Sequence, residues 1–159
     1  MNGVNHSLGP EKTYPTTIHQ LNDAVAFVLR EADRFQVDPE RIILAGDSAG
    51  SQLSSQLARI VTNPAYAAEL GMSPALKPSQ FRGMVLNCGI YDMPAYFDNG
   101  AGDFSVLGWG SDLEIWVHTG SKSKDSRATQ QMSTINYVTS AFPSTYIMVG
   151  NGDPAVDGI

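Results

Sequence analysis

The sequence predicts an α/β fold with a parallel sheet, and two features of the chain support this prediction. First, three short apolar runs have the length and composition of buried strands, at residues 41–45, 81–88 and 144–149. Amphipathic stretches with helical spacing lie before and between the first two, and such alternation is typical of a parallel sheet flanked by helices. Second, the turn at residues 46–50, Gly-Asp-Ser-Ala-Gly, joins the first apolar run directly to a helical stretch at residues 51–62.

The remaining elements follow from periodicity and from turn residues. A first helix is expected to begin at Pro15–Thr17 with a threonine as its cap. One apolar stripe follows it at helical spacing, formed by Leu21, Val25, Val28, Leu29 and Ala32. Short helices are expected at residues 65–70 and 127–132, and a capping box at residues 111–114 predicts a helix that ends near Gly120.

Domain organisation is expected to be simple. The 159 residues suffice for one domain, and the composition changes beyond Asp92, where residues 93–110 are rich in glycine, aspartate and aromatic side chains. Cys88 falls at the end of the second strand and is expected to be a small core residue, because no activating partner is visible for it.

Composition excludes several classes of function. The formal charge of −6 and the pI of about 4.8 argue against a nucleic-acid partner. Lysine and arginine are scattered, and no apolar run reaches the length of a membrane span. The first residues lack the pattern of a signal peptide, so a cytoplasmic location is the default, while secretion of a longer parent protein stays open. With one cysteine, no internal disulfide can form.

The glycine-flanked serine has the context of a nucleophile elbow. Gly46 and Gly50 are expected to let strand and helix approach closely while Ser48 takes a strained backbone conformation. The N–H of Ala49, at the start of the helix, is then placed to stabilise an oxyanion. The alternative is an ordinary strand-to-helix turn, since small residues are common in turns.

A carboxylate follows the third predicted strand. Asp153 and Ser48 each come after a parallel strand, so both are expected at the same edge of the sheet. Their order in the chain fits the serine-then-acid order of hydrolases built on such sheets. The alternative for Asp153 is a plain turn carboxylate, because Asn-Gly-Asp-Pro is a good turn sequence by itself.

These motifs together resemble the hormone-sensitive-lipase-like esterases and lipases, a family of α/β-hydrolases. Residues 7–11, Ser-Leu-Gly-Pro-Glu, with the Tyr-Pro pair at 14–15, resemble that family's Tyr-Arg-Leu-Ala-Pro-Glu…Phe-Pro segment. Residues 46–50 match its elbow at every position. Asp153-Pro154 resembles its Asp-Pro-Leu motif, with Ala155 in place of leucine.

The resemblance implies roles for particular residues. Ser48 would be the nucleophile of an acyl-enzyme mechanism, Asp153 the acid that orients a histidine, and Ala49 a backbone oxyanion donor. The elbow itself would be formed with Gly46, Asp47 and Gly50. The substrate would be a small-molecule ester, residues 91–137 would form a cap over the site, and no metal or organic cofactor would be needed.

The chain also departs from the family. It lacks the His-Gly-Gly-Gly oxyanion loop, and no histidine follows Asp153. The three histidines that it has, His6, His19 and His118, are expected to be ordinary surface or cap residues. The resemblance therefore implies a single partial domain over residues 1–159, an incomplete α/β-hydrolase fold with little activity alone.

Three further expectations stay open at this point. An uncovered sheet edge would favour self-association. A non-catalytic ligand-binding protein of the same fold is compatible with the missing histidine. An amidase or peptidase would use the same elbow chemistry.

Overall fold

A three-stranded parallel sheet lies at the centre of the fold. The computed structural model describes residues 3–100, 116–117, 119–121, 123 and 125–153, and for residues 97–100 it describes the backbone only. The strands are β1 (Ile42–Asp47), β2 (Phe81–Asn87) and β3 (Thr145–Met148), in the order β1-β2-β3. Both pairs are parallel, which confirms the predicted fold class.

Six helices have both ends in the described part of the chain: α1 (Thr16–Arg30), α2 (Ala32–Phe35), α3 (Ala49–Thr62), α4 (Pro64–Glu69), α5 (Met93–Gly100) and α6 (Arg127–Met132). Residues 116, 117 and 119 are also helical, and the Gly120 N–H donates to Trp116 O at 2.8 Å, which agrees with the predicted helix end near Gly120. Two 3₁₀ turns, Pro78–Gln80 and Thr134–Tyr137, complete the regular structure. The capping box predicted at residues 111–114 lies outside the described residues. None of the helices described has both the length and the apolar character that a membrane span requires.

The boundaries of α4 and α6 agree with the sequence. Helix α6 covers the predicted residues 127–132. Helix α4 begins at Pro64, one residue early, because proline fits the first turn of a helix. The Asn63 side chain caps it by accepting the N–H of Tyr66 at 3.1 Å.

The expectations for the first helix need two corrections. No threonine side chain caps α1. Pro15 holds the cap position, and the carbonyl of Thr13 accepts the N–H of Thr16 at 2.9 Å instead. The apolar stripe is also shorter than expected, because α1 ends at Arg30 and Ala32 belongs to α2. Of the residues in α1 only Ile18 is fully buried, while several stripe residues are half-buried against the core.

Helix α3 is the most buried element of the described chain. It packs on β1 and β2 with one side and against α1, α4 and the Thr134–Tyr137 turn with the others. Every residue from Ser51 to Thr62 is therefore buried. The sequence predicts the apolar stripe of this helix, but its polar side is covered as well, which periodicity did not predict.

A buried arginine ties α3 to the last turn of α6 and to the residue that follows it. Arg59 is fully buried and donates hydrogen bonds of 2.7 Å to the carbonyls of Gln131 and Ser133. Its guanidinium lies 4.3 Å from the centre of the Tyr66 ring and donates to the Tyr66 hydroxyl. Burial lowers the pKa of Arg59 and raises that of Tyr66. Two backbone carbonyls thus receive donors that water cannot supply there.

The two faces of the sheet differ in burial. Met84 and Leu86 point toward α3 and are buried. On the opposite face the described residues leave four large apolar side chains exposed. This open sheet face consists of Ile43, Val85, Tyr146 and Met148, with exposed fractions of 62%, 39%, 62% and 48%. Apolar surface that adjoins an edge strand favours association with another chain.

We predict that the isolated 159-residue chain self-associates through the open sheet face. Light scattering coupled to size exclusion should give a mass above 17.1 kDa that rises with concentration. The double variant Ile43→Thr/Tyr146→Thr should shift the mass toward the monomer, because it removes apolar area and keeps residues that favour strands.

A control variant separates this face from general surface hydrophobicity. Ile135→Thr/Val138→Thr alters two side chains of similar exposure, 54% and 52%, outside the sheet. It should leave the mass unchanged. A monomeric native chain at all concentrations would contradict the prediction.

Candidate active site

Ser48 lies at a sharp turn between the end of β1 and the start of α3. Its φ of 52° and ψ of −118° belong to a region that L-residues rarely occupy. The surrounding backbone holds it there. The Ser48 N–H donates to Asn87 O at 2.8 Å, and its carbonyl accepts from the amides of Ser51 and Gln52. Ser48 and the neighbouring Asp47 and Ala49 are exposed, so the strained turn presents the serine at the surface.

The close approach of β1 and α3 depends on Gly46. A Cβ at Gly46 would overlap the carbonyl group of Gly50 and the amide nitrogen of Ser51. At Gly50, by contrast, a Cβ would meet no described atom apart from its chain neighbours and the backbone of its own helix. The expectation that both glycines are needed for close packing is therefore wrong for Gly50. The backbone of Gly50 is what approaches Gly46, and this approach does not require that Gly50 lack a side chain.

Ser51 is a residue that sequence reasoning missed. Its hydroxyl oxygen lies 2.7 Å from the carbonyl of Gly46 and 2.8 Å from that of Asn87, and it accepts the N–H of Asn87 at 2.8 Å. Ser51 is fully buried. It therefore links the turn to β2. The only sequence signal was its place in the first turn of a helix after a buried strand.

Asp153 lies at the same edge of the sheet as Ser48. It follows β3, as Ser48 follows β1, and because the strands are parallel their carboxyl ends meet at one edge. The Asp153 N–H donates to Gly150 O at 2.9 Å in the turn. Asp153 therefore follows the strand at the far side of β2 from Ser48, while Pro154 and Ala155 of the same motif lie outside the described residues.

Cys88 lies on this edge, beside Asp153. It is half-buried and comes just after β2, with a φ of 50° that ends the strand, so the expectation of a core position is wrong. Its thiol donates a hydrogen bond to the Asp153 carboxylate, and this bond raises the pKa of the Cys88 thiol. A raised pKa makes the thiol a poorer nucleophile at neutral pH.

A cavity of about 60 Å³ opens beside Ser48. Apolar walls come from α3 and from the 91–137 segment, where Met93, Tyr96 and Met132 line it. Polar groups also face it, and they include His6, Tyr14, Ser48, Gln52 and Gln56. Apolar walls with a few convergent polar groups are typical of a small-molecule site.

The histidines differ in where they lie. His6 is half-buried and lines the cavity, and its Nδ1 lies 2.8 Å from Ser7 O. His19 lies within α1, and it is not among the residues that line this cavity. His118 lies outside the described residues. The position of His6 could not be predicted from sequence, because the cavity is formed by residues far apart in the chain.

The start of α3 can stabilise negative charge beside Ser48. The first N–H groups of a helix have no partner within the helix and carry partial positive charge. The N–H of Ala49 is the first of these in α3. An oxyanion that forms next to Ser48 would therefore meet a fixed donor without further rearrangement.

A model of the BD-FAE family matches residues 1–158. The chain is 34% identical over 76 residues to an α/β hydrolase of Acanthamoeba polyphaga mimivirus, covering 46% of this chain and 22% of that protein. It is 28% identical over 116 residues to the arylacetamide deacetylase of Oryctolagus cuniculus, covering 71% of this chain and 27% of that protein.

Several solved structures of similar fold are esterases. Esterase B from Lactobacillus rhamnosis aligns with a TM-score of 0.74 at 20% identity, over 97% of this chain and 46% of that one. Esterase LipW from Mycobacterium marinum aligns with a TM-score of 0.69 at 22% identity, over 98% and 45%. The chain thus spans about a quarter of the length of the curated relatives and just under half of these structures.

We predict that the two glycines of the turn respond differently to alanine. Gly46→Ala should lower the free energy of unfolding by about 3 kcal/mol, because the methyl group meets backbone that cannot move aside. Gly50→Ala should raise it by up to about 1 kcal/mol, since alanine favours a helix over glycine. Urea unfolding of the three proteins measures both values. Equal losses at the two positions would refute this account of the turn.

We also predict that Asp153→Asn makes Cys88 more reactive. Removing the carboxylate removes the interaction that disfavours the thiolate, so the pKa of the thiol should fall. Because Cys88 is the only cysteine, the pH dependence of iodoacetamide alkylation reports on it alone. The midpoint should move to lower pH in Asp153→Asn and by less in the control Asp47→Asn, whose charge acts only weakly on the thiol. Identical profiles for native protein and Asp153→Asn would contradict the placement of Asp153.

Proposed function

Because the chain belongs to the BD-FAE family and is an α/β-hydrolase of the hormone-sensitive-lipase-like type, we propose that it carries the nucleophile of a serine carboxylic-ester hydrolase. The observation that supports this most directly is the strained, exposed Ser48 at the start of α3. An ordinary strand-to-helix turn does not require this conformation, whereas a presented nucleophile does.

The proposed chemistry proceeds through an acyl-enzyme. Ser48 Oγ attacks the ester carbonyl carbon, and the Ala49 N–H stabilises the oxyanion that forms. Collapse of this intermediate releases the alcohol and leaves the acyl group on Ser48, and water then releases the acid. The role proposed for Asp153 is to orient a histidine that takes the serine proton. Neither step uses a metal or an organic cofactor.

The rate of ester hydrolysis by the isolated chain depends on a base that accepts the Ser48 proton. None of the residues from 154 to 159 is a histidine, and a serine hydroxyl without a base is a weak nucleophile at neutral pH. Triad members act as a unit, so the loss of one removes most of the acceleration. We therefore propose that the 159-residue chain reacts with activated reagents but turns over esters slowly.

The segment from 91 to 137 is proposed to be a cap over the site. Met93, Tyr96 and Met132, near its two ends, line the cavity beside Ser48. Arg59 binds the carbonyls of Gln131 and Ser133, so one end of the segment is held directly on the helix that begins at the nucleophile. A substrate would lie between the cap and α3.

Two other functions use the same geometry. A ligand-binding protein without catalysis is favoured by the cavity, whose apolar walls and convergent polar groups would serve binding alone. Amide hydrolysis is favoured by the similarity to a protein named arylacetamide deacetylase. A matched ester and amide with the same acyl group separate the last possibility from an esterase.

We predict that a fluorophosphonate probe labels Ser48. Mass mapping of the labelled chain should place the adduct on the peptide that contains Ser48, because this hydroxyl is exposed and lies beside an oxyanion donor. Ser48→Ala should reduce labelling to background. Labelling of native protein equal to that of Ser48→Ala would refute the esterase proposal and favour the binding protein.

Two control variants show whether the signal is specific. Ser73→Ala removes another exposed serine and should leave labelling unchanged. His6→Ala removes the only histidine among the described residues that lines the cavity. Labelling should persist in it, and a loss there would identify His6 as the base. Hydrolysis of a short p-nitrophenyl ester should be near background in every variant.

A further inference from the structure

One buried polar group in the cavity beside Ser48 has no part in the proposed reaction. Ser48, Gln52 and Gln56 are spaced four residues apart from the start of α3 onward, and residues at this spacing share one face of a helix. All three line the cavity. The cavity therefore follows α3 for two turns, from the nucleophile to Gln56.

Gln56 differs from its neighbour in its hydrogen bonds. The Gln52 Nε2 donates to the carbonyl of Met132 at 3.0 Å. Gln56 is fully buried, yet neither its Nε2 nor its Oε1 has a hydrogen-bond partner among the described residues. Buried amides are nearly always paired, because an unpaired one forfeits the hydrogen bonds that it makes in water.

An unpaired buried amide that lines a cavity is able to bind a polar group of a ligand. A carboxamide offers two donors and an acceptor, so a hydroxyl or an amide of a ligand can bond with it in either direction. Apolar side chains, among them Leu53, Met93 and Met132, line the same cavity. The complementary ligand has an apolar linker with a polar group at its far end.

Helix geometry sets the length of that linker. Eight residues of α-helix rise about 12 Å, and side chains lean toward the helix N-terminus, which brings the Gln56 amide closer to Ser48. After both side chains are allowed for, the gap spans about four bonds. A cavity of about 60 Å³ holds about four water-sized groups, which fits a short chain.

We propose that Gln56 is a specificity-determining residue that binds a hydroxyl or amide on the acyl part of the substrate, about four bonds from the carbonyl that Ser48 attacks. This inference rests on the proposed function, since it takes Ser48 as the reacting group. It narrows the substrate class to esters of short acids with a polar end. Gln56 does not take part in the bond-making steps, which stay with Ser48 and Ala49.

The test compares two activated aryl phosphonates with equal numbers of chain atoms, 3-hydroxypropyl and butyl. Rates of Ser48 labelling are measured by mass spectrometry for native protein, Gln56→Leu and Gln56→Met. The ratio of the hydroxypropyl rate to the butyl rate should fall about tenfold in both variants, because one hydrogen bond is lost. The control Gln131→Leu, at a buried glutamine that does not line the cavity, should keep the native ratio.

Folding of the variants is checked by thermal unfolding. The melting temperature of Gln56→Leu should not fall below the native value, since the change removes an unpaired buried amide. An unchanged rate ratio in a folded Gln56→Leu protein, with Ser48 labelled, would overturn the inference and leave the proposed function standing.

A second measurement applies if neither probe labels Ser48, a result that would refute the proposed function. The side-chain amide signals of Gln56 are assigned by comparison with Gln56→Leu, and native protein is titrated with 5-hydroxypentan-2-one or hexan-2-one. A larger shift with the hydroxyketone supports recognition by Gln56 without catalysis. Equal or absent shifts overturn the inference.

Discussion

The contact between the end of β1 and the start of α3 constrains the rest of this structure. The backbone of Gly50 lies where a side chain at Gly46 would be, so the two elements meet without a gap. Hydrogen bonds from Ser48 and Ser51 to Asn87 then fix the turn on β2. The strain at Ser48 is stable only because these contacts leave its backbone no relaxed alternative.

Helix α3 connects this contact to the cavity and to the region around α6. One end presents Ser48, the middle lines the cavity with glutamines, and the far end holds Arg59 under the chain that follows α6. Since the helix is rigid, a group two turns from the nucleophile keeps a fixed distance from it. Because the helix is buried on all sides, each of its polar side chains loses hydrogen bonds to water. A hydrogen-bond partner from the protein or from a ligand offsets this loss of free energy.

The described residues cover the two faces of the sheet unequally. One face is covered by α3, whereas Ile43, Val85, Tyr146 and Met148 are exposed on the other. Parallel sheets in α/β proteins are normally covered on both faces. The chain spans just under half of the esterase structures that share its fold, which fits a sheet of which only part is present.

The sequence by itself determined the strands, the helices at residues 51–62 and 127–132, and the position of Ser48, because hydrophobic periodicity and glycine placement are local properties. Parallel strand order also placed Asp153 on the edge that carries Ser48. Only the tertiary structure decided that Gly50 could carry a side chain, that Cys88 meets Asp153, and that His6 and Gln56 face the cavity. These features depend on contacts between residues far apart in the chain, and no local pattern encodes such distances.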